Sequence, residues 1–278
     1  MCENSYIDYE KYSVLMTVYK NDNPNYFNLA LDSMINQTII PNEIVLVKDG
    51  PIPAVLQNII DKKKNISNIV EVQLEKNIGL GLALNEGIKV CKNELIARMD
   101  ADDYSFPTRC EKQLQEFQKD KSLGIVGLSV KEFTDTLENI VGERKVPITN
   151  EEIYKYAKTR DPFNHPTVMY KKSELLKVGC YGDYRKNQDT DLWIKLLSNN
   201  IKCANLKEDL FRFRFDKNTY IKRKNWLNTK LLISIRYKAY KNHFCSIFDF
   251  LKVLFAQLGI FIMPLKLQEF VYRKLLRS

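Results

Sequence analysis

Three carboxylates within four residues, Asp100-Ala101-Asp102-Asp103, follow the apolar run Leu95-Ile96-Ala97-Arg98-Met99. Like charges this close repel one another, and burying them uncompensated costs roughly several kcal/mol each. A cation relieves that cost. Mg2+ and Mn2+ take oxygen ligands, typically about one or two carboxylates together with the oxygens of a bound diphosphate. A solvated acidic turn has the same spacing. The cluster reads as a metal site only if neighbouring segments bring other ligand-binding groups to it.

Those segments alternate. Ser13–Val18 reads as a buried strand, followed by a helix with apolar residues at Phe27, Leu31, Met34 and Ile35. Glu43–Lys48 is a second strand, closed by Asp49-Gly50-Pro51. A helix over Ala54–Lys63, a strand over Ile69–Leu74, a helix over Leu80–Val90 and the strand Leu95–Met99 come next. Strands alternating with helices of about ten to fifteen residues predict an α/β fold, with a mostly parallel sheet covered on both faces. Ligands of such sheets bind beyond the carboxyl ends of the strands. Thr17, Tyr19, Asp49 and Asp102 all fall at that edge. Further on, Pro107-Thr108-Arg109 opens a helix, Gly124–Val130 reads as one buried strand, and Phe133–Val146 as a hairpin or a loop over the site. A strand near Thr167–Tyr170 and helices near Ser173 and Asp189 follow, and the pattern is helical and basic from Thr219.

Charge divides the chain in the same place. Residues 212–278 hold 15 Lys and Arg against 3 Asp and Glu, whereas the other 211 residues are close to neutral. The 6 cysteines contain no C-x-x-C pair, which excludes a zinc finger and a disulfide framework and predicts reduced thiols in the cytoplasm. Met1–Lys11 lacks the apolar core of a signal peptide. No stretch reaches the ~20 apolar residues of a spanning helix.

Six segments in order carry a resemblance: Ser13–Tyr19; Ser33–Thr38 with Glu43–Gly50; Asn77-Ile78-Gly79-Leu80-Gly81; Met99–Asp103 with Pro107 and Arg109; Asn164-His165-Pro166-Thr167; and Gln188-Asp189-Thr190-Asp191-Leu192-Trp193. Together, over the first ~210 residues, they resemble family 2 glycosyltransferases with the GT-A fold. The resemblance is to those of bacterial capsule, exopolysaccharide and lipopolysaccharide assembly, the amylovoran type among them. It implies a GT-A domain over 1–215, with a nucleotide-binding half at 12–104 and an acceptor half at 105–215, and a helical basic extension over 216–278. It also implies an inverting transfer from a UDP-sugar to a saccharide or lipid-linked saccharide.

The resemblance assigns Thr17 and Tyr19 to the base pocket, where a tyrosine ring can stack on uracil or simply pack in the core. Asp49 can accept a hydrogen bond from uracil N3–H or close an Asp-Gly turn. Lys48 stands where the family has the first of two acids. The Asn77–Gly81 segment, through Asn77 and Gly79, can aim backbone N–H groups at the nucleotide or only start a helix. Asp102 is the implied ligand of Mn2+ or Mg2+, with Asp100 on the ribose or a metal-bound water and Asp103 behind them. Asp189 is the implied base that takes the acceptor proton, with a helix cap as its plain alternative. His165, Asp191 and Trp193 are further acceptor contacts, each with a packing alternative.

The tail from Leu231 to Arg277 interleaves basic with large apolar residues. That suits an amphipathic helix on an anionic membrane through 219–278, and so an enzyme peripheral to the inner face of the plasma membrane. A helical pair packed on the enzyme body, or on a sister subunit in a homo-oligomer, is the rival. Nucleic-acid binding fits poorly, because no recognisable module accompanies the charge. Two other classes compete: a haloacid-dehalogenase-type phosphatase, whose Asp-x-Asp belongs after an earlier strand, and a non-catalytic nucleotide-sugar-binding protein, which has no need of Asp189.

Overall fold

The computed structural model describes residues 9–215 and 226–264. β1 (Tyr12–Val18), α1 (Pro24–Ile35), β2 (Glu43–Lys48), α2 (Ala54–Lys64), β3 (Ile69–Gln73), α3 (Leu80–Val90) and β4 (Leu95–Met99) alternate as their apolar patterns demand. The strands are apolar on both faces because both faces are covered. Val14 and Met16 of β1 enter the core beneath α1 and α2, whereas Leu15 enters the core beneath α3. Asn23 caps α1 by accepting from the Asn25 and Tyr26 N–H groups, with Pro24 in the first turn. Gly87 lets α3 lie directly on the sheet, since a Cβ there would come within 2.3 Å of Leu15 Cδ1.

Seven strands form the main sheet in the order β10-β6-β9-β4-β1-β2-β3. They include β6 (Leu123–Leu128), β9 (Met169–Lys171) and β10 (Lys202–Leu206). Only β9 runs antiparallel to its neighbours, lying between β4 and β6. Register fixes the ligand edge: Met16 pairs with Met99 and Val18 with Lys48. Thr17 and Asp100, and Tyr19 and Asp49, are therefore neighbours where these strands end.

The expected strand Gly124–Val130 is two strands. β6 ends at Leu128, and β7 (Val130–Phe133) belongs to a second sheet, ordered β5-β11-β7-β8. The segment after Phe133 is a hairpin, β7 with β8 (Ile140–Arg144). β5 (Tyr104–Ser105) follows the acidic cluster directly, and β11 (Phe211–Arg214) returns from far along the chain to pair with it. Between these lie α4 (Arg109–Lys119), α5 (Asn150–Ala157), α6 (Lys172–Lys177) and α7 (Gln188–Ser198).

The basic tail is a hairpin rather than one long helix over its described part. α8 (Trp226–Lys241) and α9 (Ile247–Ile262) run antiparallel, with Trp226 against Phe261 and Tyr237 against Phe250. α8 packs on α7 through Ile194, Ile235, Ala239 and Cys245. This is the body-packed arrangement for α8. α9 still presents Phe248, Phe255 and Ile262 to solvent. No helix among the described residues is long and apolar enough to cross a membrane. The expected tail segment 265–278 and the start of the extension at 216–225 lie outside the described residues.

Arg236 is the polar anchor of α8. It is buried, with Nη1 donating to the Ala157 carbonyl at 2.5 Å and Nη2 paired with Asp161 at 3.0 Å. Removing one partner of such a pair strands the other. Arg236→Ala is expected to lower unfolding stability by about 2–3 kcal/mol in a urea titration. An unchanged midpoint would mean that α8 adds nothing to the body.

Candidate active site

Carboxylate oxygens of Asp100, Asp102 and Asp103 lie within 4.8 Å of one another at the end of β4. Two arginines brace this turn. Arg98, fully buried in β4, forms an ion pair with Asp100 Oδ1. The Arg214 backbone N–H donates to Asp103 Oδ1 at 2.8 Å, and its Nε donates to the Asp102 carbonyl at 2.8 Å. Arg214 is itself sandwiched between the rings of Tyr26 and Phe133. Asp103 Oδ2 is buried without a partner.

These two cations do not neutralise the cluster. Asp102 is solvent-accessible, yet the protein packed around it and the charge of Asp100 push its carboxyl up to about 6, against Arg214 and Arg98. Burial, then Asp102 and Asp100, carry Asp103 well above the usual carboxylate range. A fourth acid, Asp22, joins them from the turn before α1. Burial raises it to about 7, with Asp102 and Asp100 adding to the rise and the Tyr19 N–H opposing it. A cradle of carboxylates that hold their protons this tightly fits a dication, with Asp102 and Asp100 as the groups that would hold Mn2+ or Mg2+.

The neighbouring strand ends bring in Thr17, Tyr19 and Asp49. Tyr19 is partly exposed and close enough to Asp102 for the two charges to interact. Asp49 is buried and accepts three hydrogen bonds: Asn77 Nδ2 at 2.8 Å, Ile78 N at 2.7 Å and Gly79 N at 3.1 Å. It thereby locks the Asn77–Gly79 loop against the sheet edge. Gly50 permits that contact: its φ is +91°, and a Cβ would stand 2.8 Å from Asn77 N. Lys48 turns the other way and pairs with Glu71 at 2.7 Å.

Asp189 sits in the first turn of α7, beside α3, where a Cβ on Gly81 would come within 3.1 Å of Gln188 Cβ. Asn187, not Asp189, occupies the cap position, in the left-handed conformation that asparagine tolerates. Burial and then Asp161 push the Asp189 carboxyl up to about 6, while the Thr190 N–H and Arg144 oppose the rise. Arg185 links this turn to the Asn77 loop, donating to Asn77 Oδ1 at 3.3 Å. Tyr181 lies within electrostatic reach of both Arg98 and Asp189.

Three expected acceptor contacts are placed elsewhere. His165 is 8% exposed, with Nε2 2.8 Å from Tyr181 Oη. Burial, then the charge of Arg98, keep its imidazole neutral by lowering its pKa well below the ordinary value. Trp193 is buried edge-on against Phe163 and His165 and serves as core. Asp191 pairs with Lys195 at 2.8 Å and lines a different cavity, with Tyr184 and Lys238. The helical repeat puts it on another face from Asp189. Asp22, Asp161, Arg144, Arg185 and Arg214 belong to none of the sequence motifs. Asp22 had a signal, following a strand at the ligand edge; Arg214 reaches the site only through the long-range pairing of β11 with β5 and β7.

A mostly parallel sheet flanked by helices, with a carboxylate cluster at the end of one strand, is the layout of a GT-A glycosyltransferase. The chain belongs to glycosyl transferase family 2, whose model matches residues 13–179. It is 34% identical over 270 residues to the UDP-Gal:alpha-D-GlcNAc-diphosphoundecaprenol beta-1,3-galactosyltransferase of Escherichia coli, covering 97% of this chain and 98% of that one. It is 32% identical to the amylovoran biosynthesis glycosyltransferase AmsE of Erwinia amylovora, covering 95% and 98%. Among solved structures, TarS 1–349 of S. aureus in complex with UDP-GlcNAc superimposes with a TM-score of 0.66 at 18% identity, over 90% of this chain and 72% of that one. The mannosyltransferase PcManGT of Pyrobaculum calidifontis, in complex with GDP-Man and Mn2+, gives 0.64 at 14%, over 91% and 70%. The protein is a glycosyltransferase, which displaces the phosphatase alternative.

Carboxyls with raised pKa bind extra protons in the folded state, so stability falls as pH rises through the window from about 4 to about 7. Asp102→Asn removes one of the repelling charges. In metal-free buffer its melting temperature is expected to exceed that of the wild type at pH 7.5 and to converge with it near pH 4. A lower melting temperature at pH 7.5 would contradict the repulsion.

Proposed function

We propose that this glycosyltransferase moves a sugar from a UDP-sugar to a lipid-linked saccharide, inverting the anomeric centre, in the assembly of a surface polysaccharide. The observation that carries this reading is the clustering of Asp100, Asp102 and Asp103 on the strand edge shared with Tyr19 and Asp49. The E. coli relative, named for UDP-Gal and a diphosphoundecaprenol acceptor, and the amylovoran enzyme support the donor and the acceptor class.

In this reading Thr17 and Tyr19 line the base pocket, with the Tyr19 ring stacked on uracil. Asp49 already accepts three bonds, and its remaining lone pair receives uracil N3–H. The Asn77–Gly79 backbone, fixed by Asp49, borders the nucleotide. Asp102 and Asp100 would hold Mn2+ or Mg2+; when bound, that ion would supply positive charge to a diphosphate whose negative charge grows on departure.

Asp189 accepts the proton of the acceptor hydroxyl. The hydroxyl oxygen bonds to the anomeric carbon as the bond from that carbon to the diphosphate oxygen breaks, and the nucleoside diphosphate leaves with the electron pair. Attack opposite to the leaving group inverts the configuration. A base must be ionised, and burial places Asp189 close to that transition at neutral pH.

The enzyme docks peripherally on the inner face of the plasma membrane. Support comes from the cationic surplus of 212–278 and from the exposed Phe248, Phe255 and Ile262 of α9.

Transfer of radiolabelled sugar to membrane lipids tests the assignment. Asp102→Ala and Asp189→Asn are each expected to reduce it by roughly a thousandfold or more with folding intact. The wild-type rate should fall as pH drops below about 6, as Asp189 takes up its proton. Full activity in either variant would remove that residue from the mechanism.

A further inference from the structure

Asp189 opens into a cavity of about 690 Å³ between the enzyme body and the α8–α9 hairpin. Its lining is unbalanced. Arg144, Arg160, Arg185, Lys186, Arg236 and Lys252 face it, against the carboxylates of Asp161 and Asp189. Arg236 is matched by Asp161, and Arg144 donates to the Asp161 carbonyl at 3.2 Å. Arg160 and Lys252 are exposed cations on opposite walls, one on the body and one on α9. On the hairpin side an apolar patch is formed by Leu232 of α8 and Val253, Ala256 and Ile260 of α9. The same α9 carries Phe248, Phe255 and Ile262 on its solvent side.

We infer that this cavity binds the diphosphate of a lipid diphosphate acceptor, with Arg160 and Lys252 on its phosphates and the apolar wall of α9 along the start of its chain. The inference rests on the lipid-linked acceptor proposed above and locates its head group. Charge complementarity supports it: a net cationic cavity suits a ligand with two or more negative charges, and cations bind phosphate through charge-assisted hydrogen bonds. Geometry supports it as well. The sugar of such an acceptor hangs from the diphosphate, so a head group held in this cavity delivers a sugar hydroxyl to Asp189, which lines the same space. The donor diphosphate belongs to the acidic cluster, which is absent from the lining of this cavity. The hairpin is then part of the enzyme's substrate recognition, because one side of the cavity is built from it.

Calorimetric titration in EDTA separates the possibilities, since chelation prevents metal–diphosphate binding at the acidic cluster. The probes are farnesyl diphosphate, inorganic pyrophosphate and farnesol, against the wild-type chain, Arg160→Gln/Lys252→Gln and each single substitution. Both positions are exposed, and matching melting curves confirm the folds. Farnesyl diphosphate is expected to bind the wild type more tightly than either pyrophosphate or farnesol. Its affinity should fall roughly tenfold for each cation removed, while farnesol is unaffected. An unchanged affinity in the double variant, or farnesol equal to farnesyl diphosphate, overturns the assignment. Pyrophosphate equal to farnesyl diphosphate overturns it too, by making the ligand a free diphosphate. UDP with Mn2+, titrated separately, tests the donor reading: its failure to bind the wild type would sink that reading and leave the cavity result standing.

Discussion

The repulsion among Asp22, Asp100, Asp102 and Asp103 is the constraint to which the rest of the structure answers. Three carboxyls converge where β4 ends, with Asp22 within electrostatic reach, and a polypeptide holds such a group in place only with opposing charge. Arg98 supplies it from below, fully buried in the strand, with two guanidinium nitrogens left without partners. That burial is costly, and the ion pair with Asp100 offsets it. Arg214 supplies a second cation from the side. The raised carboxyls of Asp22, Asp102 and Asp103 show that both together fall short. A dication would complete the balance.

Much of the topology makes sense as support for that edge. β11 comes back to pair with β5, and by doing so carries Arg214 to the carboxylates. Gln37 ties the end of α1 to the chain after β5 through the Phe106 carbonyl and the Cys110 N–H. Buried Arg109 bonds the Arg98 carbonyl, bracing the strand from the other face. Asp49 fixes the Asn77 loop, and Arg185 joins that loop to the turn carrying Asp189. α8 reaches the same region through Arg236 and Asp161, the acid that raises Asp189. The carboxylate edge, the turn carrying Asp189 and the C-terminal hairpin are thus mechanically connected.

The first half of the fold was legible because its elements are local. Each strand is a short apolar run closed by a turn, and each helix shows its period within a dozen residues, so β1 to β4 fall where their patterns place them. Long-range pairing was not legible. β5 has two residues and β11 four, too few to show a period, and their meaning lies in each other. Gly124–Val130 looked continuous because both sheets demand apolar residues, and nothing local marks Ser129 as the crossing point. Motif membership was also a poor guide to side-chain direction. His165 and Trp193 belong to motif segments yet pack in the core, and Asp191 lies two positions from Asp189 but faces away from it.

Electron paramagnetic resonance of Mn2+, titrated with and without UDP, tests the central claim most directly. One Mn2+ per chain should bind, tighten when UDP is present, and be lost from Asp102→Ala while the chain stays folded. Binding that ignores UDP, or survives Asp102→Ala unchanged, would contradict a dication held between these carboxylates and a nucleoside diphosphate.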